Sequence, residues 1–183
     1  AVVDFLHKNS TTANKIQEKI NHNERLRKEL NAVKKEAKFA AKRIAIKIPH
    51  FKDCKYHLDN RKHGSDSTIF ITEGPSAAGS MVTARDPLTQ AIFGLKGVPL
   101  NVFSRTKAAI YKNEELYNLM MALGIEDGID NLRFDKVVIA TDADYDGYHI
   151  RNLLMTYFLT YFEEVVLAGH VYILETPLFR VRN

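Results

Sequence analysis

Residues 136–147 decide the fold, and they read Lys-Val-Val-Ile-Ala-Thr-Asp-Ala-Asp-Tyr-Asp-Gly. Residues 136–140, with three β-branched side chains in a strongly hydrophobic run, predict a buried strand. Asp142, Asp144 and Asp146 follow this strand at alternate positions, and Gly147 closes the run. Ligand sites in α/β sheets form at the carboxyl ends of the strands, so we expect a functional site at this point.

The remainder of this region alternates short strands with helices. Strands are predicted over residues 68–72, 91–95 and 171–174 because these runs are rich in β-branched and aromatic side chains. Helices are predicted over residues 76–83, 114–123 and 149–167, and Gly124 and Gly169 stop the last two. We therefore predict an α/β fold with a mainly parallel sheet flanked by helices.

A long helix is predicted before this α/β region. Apolar residues recur at three- and four-residue steps over residues 13–46, which lack Gly and Pro, and Pro49 ends the helix. Such a helix would be about 50 Å long. Residues 50–67 are interpreted as a connector. We predict two domains: a basic helical arm with its connector over residues 1–62, and a globular domain over residues 63–183.

Composition and charge limit the classes of function. The chain has 183 residues, of which 45% are hydrophobic and 26% charged, as in ordinary globular proteins. Residues 1–62 carry 16 Lys and Arg against 7 Asp and Glu, whereas residues 63–183 carry 10 against 15. The basic arm suits a polyanion such as nucleic acid, and a solvated helix face explains it equally well.

Three further features bear on where the protein works. No run of about 20 apolar residues is present, so we expect no membrane partner. The single cysteine, Cys54, excludes an intramolecular disulfide framework and a cysteine-rich zinc site, and it is predicted to have no chemical role. A reduced, cytoplasmic location is the expectation. Because the chain begins without Met, we interpret it as part of a longer protein.

The aspartates after the strand are candidate ligands of a hard cation. Three carboxylates within five residues repel one another, and Mg²⁺ would offset that repulsion; a polar loop with solvated acids is the alternative. The run is not an EF-hand, because Leu153 stands at the position of the bidentate Glu. Glu73 ends another predicted strand and shares this sheet edge if the two strands are parallel neighbours. Gly74 is expected to let the backbone turn sharply after it.

Basic residues near these acids are candidate phosphate contacts. Lys96 lies beside Gly97 in a predicted loop, where it either reaches a phosphate or is merely solvated. Arg151 could widen such a patch. His149, one turn into the helix after the acids, either touches phosphate or packs against its neighbours. The glycine spacing from Gly74 resembles a P-loop, but Ser80 stands where the lysine belongs, so ATP hydrolysis here is not expected.

Taken together, these motifs resemble the Toprim domain, and specifically that of type IIA DNA topoisomerase B subunits. Residues 141–151 are similar to the family pattern T-D-A-D-x-D-G-x-H-I-R. Residues 89–102 are similar to its Q-A-I-x-x-L-[KR]-G-K-x-L-N-V stretch, and residues 169–179 to its G-H-V-Y-I and P-L-[YF] runs. The resemblance covers roughly residues 68–183, and the basic arm resembles the helix that leaves the preceding domain in that family.

The resemblance implies a role in an ATP-driven enzyme that passes one DNA duplex through another. Its catalytic residues would be Glu73, Asp142 and Asp144, which with Asp146 would hold Mg²⁺ beside the scissile phosphate. Glu73 would also act as general acid or base. Lys96, Asn101, Arg151 and His149 would contact double-stranded DNA.

The other parts of that enzyme are expected outside this chain. The nucleophilic tyrosine would belong to an A subunit in an A2B2 heterotetramer, and ATP would bind a preceding N-terminal domain. The chain alone is therefore predicted to be inactive.

Two departures from the family pattern stand out. Pro75 replaces the Asp of E-G-D-S-A, and Val98 replaces the second Lys of L-K-G-K. Another Toprim enzyme, such as a primase or nuclease, and a non-catalytic metal-binding α/β domain remain as alternatives. Gyrase and topoisomerase IV are both open, and the lack of large insertions favours topoisomerase IV.

Overall fold

The computed structural model describes residues 5, 9–43, 48 and 50–175, with the side chains of residues 35–43 left out. The chain divides into two compact units, Ala1–Ala45 and Ile46–Asn183. The first unit contains the helix α1, Ser10–Arg43. The long helix is therefore confirmed from residue 13 to residue 43, while residues 44–46 and Pro49 lie outside the described part. Ile16, Ile20 and Leu26 on α1 are 45%, 53% and 40% exposed.

The second unit is built on a five-stranded sheet with the strand order β1-β3-β2-β4-β5. The strands are β1 (Phe51–Lys52), β2 (Thr68–Thr72), β3 (Gln90–Gly94), β4 (Lys136–Ala140) and β5 (Val171–Ile173). All neighbouring pairs are parallel except β1 and β3, which are antiparallel. The α/β class and the mainly parallel sheet are confirmed. The segment expected to be only a connector contributes the edge strand β1.

Within residues 50–175, five α-helices lie between the strands β2 and β5. They are α2 (Pro75–Ala84), α3 (Ala108–Lys112), α4 (Glu114–Leu123), α5 (Tyr145–Tyr161) and α6 (Glu163–Leu167). Gly124 ends α4 as predicted, with a left-handed φ of 75°. The single helix expected over residues 149–167 is wrong in two ways. It begins earlier because Asp144 caps it, and it breaks at Phe162, whose backbone leaves the helical region and whose ring is buried against Tyr157.

The core lies between the central strands and the helices that cover them. Ile69 and Ile71 of β2 and Val137 and Ile139 of β4 are fully buried. Leu154, Tyr157 and Phe158 of α5 are also fully buried, as are Leu116, Leu119 and Met120 of α4. A parallel sheet whose strands lead into helices buries its central strands in this way. The pairing of β2 with β3 and with β4 aligns the carboxyl ends of these three strands. In the described part of the chain, no helix is long and apolar enough to cross a membrane.

Candidate active site

The carboxyl ends of three parallel strands bring the predicted site residues to one edge of the sheet. Thr72 of β2 pairs with Ala140 of β4, so Glu73 and Thr141 leave the sheet side by side. On the other side of β2, the backbone N–H of Leu95 donates to the Thr72 carbonyl at 2.9 Å. Glu73, Asp142 and Lys96 therefore begin three neighbouring loops at the same edge.

Glu73 lies in an unfavourable position for a charged carboxylate. Its Oε2 atom is buried and has no hydrogen-bond partner among the described residues. Burial raises the pKa of Glu73, and the negative charge of Asp142 raises it further; a backbone hydrogen bond from Asp142 opposes this, and Asp144 and Asp146 add to the rise. All three aspartates thus lie close enough to repel the Glu73 carboxylate, which is the arrangement that a bound cation would relieve.

The aspartate loop is held by the start of α5. The Asp144 carboxylate accepts a hydrogen bond from the Gly147 backbone N–H at 2.8 Å and caps the helix. A Cβ atom on Gly147 would lie 2.2 Å from the Asp142 carbonyl oxygen, so only glycine allows the loop to fold back this closely. One oxygen of Asp144 is engaged in the cap, and its second oxygen is not used by that bond. The partial positive charge of the helix N-terminus favours carboxylates in this turn.

The chemistry of these residues fits Mg²⁺, but their carboxylate oxygens do not converge on one point. They offer only carboxylate oxygens, which a hard cation prefers. In the described part of the chain, no three of these acids have ligand atoms within 4.8 Å of one another. Among the same described residues, the group that meets this distance is Asp53, Cys54 and His57. Mg²⁺ usually takes one or two carboxylates, with water and phosphate oxygens completing its shell, and an open arrangement suits that coordination.

The turn after Glu73 does not depend on the conformational freedom of Gly74. Gly74 has φ −165° and ψ 172°, an extended conformation that any residue adopts, and a Cβ atom there would meet open space. The prediction that glycine is needed for a sharp turn is therefore wrong. Pro75 occupies the first position of α2, where the missing N–H costs no helical hydrogen bond, and its preference for an extended preceding residue matches Gly74.

Lys96 and Asn101, two of the predicted DNA contacts, are exposed and held by local interactions. The Lys96 Nζ atom lies 3.3 Å from Glu114 Oε1, and its backbone N–H donates to the Glu115 carboxylate. The Asn101 side chain accepts a hydrogen bond from the Phe103 backbone N–H at 3.0 Å. Phosphate binding by Lys96 would therefore compete with an exposed ion pair of little strength.

His149 and Arg151 lie on the first two turns of α5, beside the aspartates. His149 is exposed and lines an open cleft of about 610 Å³ together with Asp144, Tyr145, Tyr148 and Asn152. The Arg151 guanidinium lies over the Tyr148 ring, 4.9 Å from its centroid, and Arg151 Nε is buried with no partner among the described groups. The structure thus brings His149 to a cleft that Asp144 also lines, and places Arg151 against Tyr148 of the same cleft.

A second polar cluster was not predicted from the sequence. Asp53, Cys54 and His57 come together near Arg133, whose guanidinium contacts the Asp53 carboxylate and lies 2.7 Å from His57 Nε2. Burial alone would raise the pKa of Asp53, but hydrogen bonds from His57 and Arg133 and the charge of Arg133 lower it below its usual value. Because Arg133 already supplies a cation, we interpret the cluster as structural. The spacing of Asp53 and His57 is visible in the sequence, but the partner 76 residues away is not.

Comparisons with known proteins agree with this geometry. A family model described as the Toprim domain matches residues 68–176. The chain is 61% identical over all its 183 residues to the B subunit of DNA topoisomerase 4 from Borreliella burgdorferi, of which it covers 31%. It is 48% identical over 122 residues, 64% of the chain, to the mitochondrial DNA gyrase B protein of Arabidopsis thaliana, covering 17% of that protein. The chain thus spans less than a third of each of these relatives.

A solved structure shows the same fold. The DNA-binding, cleavage and re-ligation domain of Plasmodium falciparum topoisomerase II superposes with a TM-score of 0.63 at 28% identity, over 73% of this chain and 19% of that one. The family model covers more than half of the chain, and the residues it matches include the sheet edge with Glu73 and the aspartate loop. The chain belongs to the Toprim family, and its Toprim domain is of the kind carried by the B subunits of topoisomerase IV and gyrase.

Proposed function

We propose that this chain is the Mg²⁺-binding part of a type IIA DNA topoisomerase B subunit, which supports cleavage and religation of double-stranded DNA by an A subunit. The single observation that carries the proposal is the buried Glu73 Oε2 atom, without a partner among the described residues and next to three aspartates. A folded protein tolerates such repulsion at the end of three strands where a cation and a substrate phosphate complete the site.

Each acidic residue has a distinct part in this proposal. Asp142 and Asp144 hold the ion together with Glu73, and Asp146 supports them from the first turn of α5. Bound Mg²⁺ supplies positive charge that stabilises the phosphate oxygens during transesterification. Glu73 would also act as general acid or base, exchanging a proton with the sugar oxygen that leaves on cleavage and attacks on religation.

Basic groups around the acids would bind the DNA backbone. Lys96 and Asn101 follow β3, while His149 and Arg151 lie on α5, which follows β4, so the two sets come from the strands on either side of β2. The basic arm over residues 1–62 would add affinity without sequence preference and make binding depend on salt. The globular domain over residues 63–183 carries an excess of acids, so the arm is expected to supply most of the chain's affinity for DNA.

The assembled enzyme is expected to contain more than this chain. The nucleophilic tyrosine of an A subunit and an ATP-binding domain of the same B subunit complete the reaction in an A2B2 assembly, within the cytoplasm. Topoisomerase IV is favoured over gyrase because the similarity to the topoisomerase 4 relative spans the whole chain. The same extent and identity support a topoisomerase over a primase or nuclease.

The test is Asp142→Ala in the full-length B subunit, assembled with its A subunit. We expect Mg²⁺-dependent cleavage of supercoiled plasmid to be abolished, while circular dichroism stays unchanged and thermal stability is not reduced. Asp66→Ala is the matched control, because Asp66 is exposed and lies just before β2, at the opposite edge of the sheet. Unimpaired cleavage by Asp142→Ala would contradict the proposal.

A further inference from the structure

Two exposed tyrosines stand directly beside the acid cluster. Tyr145 and Tyr148 occupy the first turn of α5, and their side chains are 88% and 58% exposed. Residues three apart on a helix lie on the same face, so the rings are neighbours.

The tyrosines form the walls of a cleft that is continuous with the proposed site. The cleft of about 610 Å³ is lined by Asp144, Tyr145, Tyr148, His149 and Asn152. Asp144 belongs to the aspartate cluster and His149 is a predicted phosphate contact. The Arg151 guanidinium lies 4.9 Å from the centroid of the Tyr148 ring and holds that ring in place by a cation–π contact.

We infer that Tyr145 and Tyr148 pack against the nucleotide next to the metal-bound phosphate and set the enzyme's preference for the bases at the cleavage site. The inference rests on the proposed function. A phosphate bound between Asp144 and His149 brings its own sugar and base to this cleft, because both are attached to it covalently. Neutral aromatic rings can approach DNA beside carboxylates without adding repulsion, and every base offers a face or an edge to them.

Base preference follows from the energy of packing and of deforming a base step. Packing of an aromatic ring against a base contributes binding energy, and the energy needed to open a base step to admit a side chain depends on the sequence of that step. Only part of that energy is available to rings at the rim of an open cleft. We therefore expect a roughly fivefold loss of cleavage at preferred sites relative to disfavoured ones, which corresponds to about 1 kcal/mol.

The experiment maps cleavage sites by sequencing in the full-length B subunit assembled with its A subunit. Tyr145→Ala and Tyr148→Ala should each redistribute cleavage and weaken the base preference beside the scissile bond by about that factor. Tyr145→Phe keeps the ring and should retain the wild-type distribution. Tyr172→Ala is the control: Tyr172 is 47% exposed on β5, and its loss should leave the distribution unchanged.

Three outcomes would overturn the inference. An unchanged distribution in both alanine variants would do so while leaving the proposed function intact, provided that cleavage still depends on Asp142. A redistribution that is accompanied by weaker association with the A protein in a pull-down would assign the surface to a protein partner instead. Cleavage that survives Asp142→Ala would remove the proposed function, and this inference with it.

Discussion

Replacing Glu73 with glutamine should stabilise the metal-free protein. The substitution keeps the shape of the side chain but removes a charge whose Oε2 atom is buried without a partner among the described residues and is repelled by three aspartates. Burial without a partner costs a charged group more than a neutral polar group, and the partial exposure of the rest of Glu73 keeps this difference small. The new amide can also donate to a neighbouring carboxylate. We expect a gain of about 1 kcal/mol at neutral pH.

The effect of Glu73 on the stability of the folded protein depends on pH. The folded-state pKa of Glu73 lies above its usual value, so this group favours the folded state at pH values below its unfolded pKa. That contribution is lost as the pH rises through the raised folded pKa. The advantage of Glu73→Gln over the wild type should therefore be full at neutral pH and should shrink as the pH falls through that value, because a protonated Glu73 is as neutral as glutamine.

Urea unfolding of the 183-residue chain in EDTA, repeated from neutral to acidic pH, measures the difference. Asp59→Asn, which removes one exposed charge from the same unit, should change stability by less than about 0.5 kcal/mol. Mg²⁺ should then stabilise the wild type more than Glu73→Gln, since it binds the charged carboxylate. A destabilised Glu73→Gln variant, or a gain that is the same at every pH, would refute the reasoning.

Further predictions concern the loop, the arginine cluster and residues 1–45, the part of the basic arm that forms the first unit. Gly147→Ala should lower stability by about 2 kcal/mol or more in urea unfolding and impair Mg²⁺-dependent cleavage, because its Cβ would lie 2.2 Å from the Asp142 carbonyl oxygen. Arg133→Ala should lower the free energy of unfolding by about 1–3 kcal/mol in the same assay, since it leaves Asp53 without its cation. This loss of stability should diminish as the pH falls through the lowered pKa of Asp53, and an equal loss at every pH would count against the ion pair. Deleting residues 1–45 should remove most of the salt-dependent binding to duplex DNA in a fluorescence-anisotropy titration, and retained binding would assign that affinity to the second unit instead.

Local sequence patterns predict much of the second unit because its central strands are short and largely buried. Residues 68–72 and 136–140 match β2 and β4 residue for residue, since a β-branched run that ends in polar residues has few alternatives. The edge strand β1 is not predicted from the sequence, because two residues are too few to show a periodic pattern. Its formation depends on pairing with β3. The start of α5 differs from the prediction because Asp144, a candidate metal ligand, also caps the helix.

The sequence by itself determined the chemistry that this protein can carry: the acids, their order along the chain and the strand that precedes them. The tertiary structure alone decided which groups meet. The register of β2 with β4 placed Glu73 beside an aspartate loop about 70 residues away, because parallel neighbours align their carboxyl ends. It also joined Asp53 and His57 to Arg133 and left Tyr145 and Tyr148 exposed beside Asp144. Contacts between residues far apart in the chain depend on how the elements pack, and no local pattern encodes them.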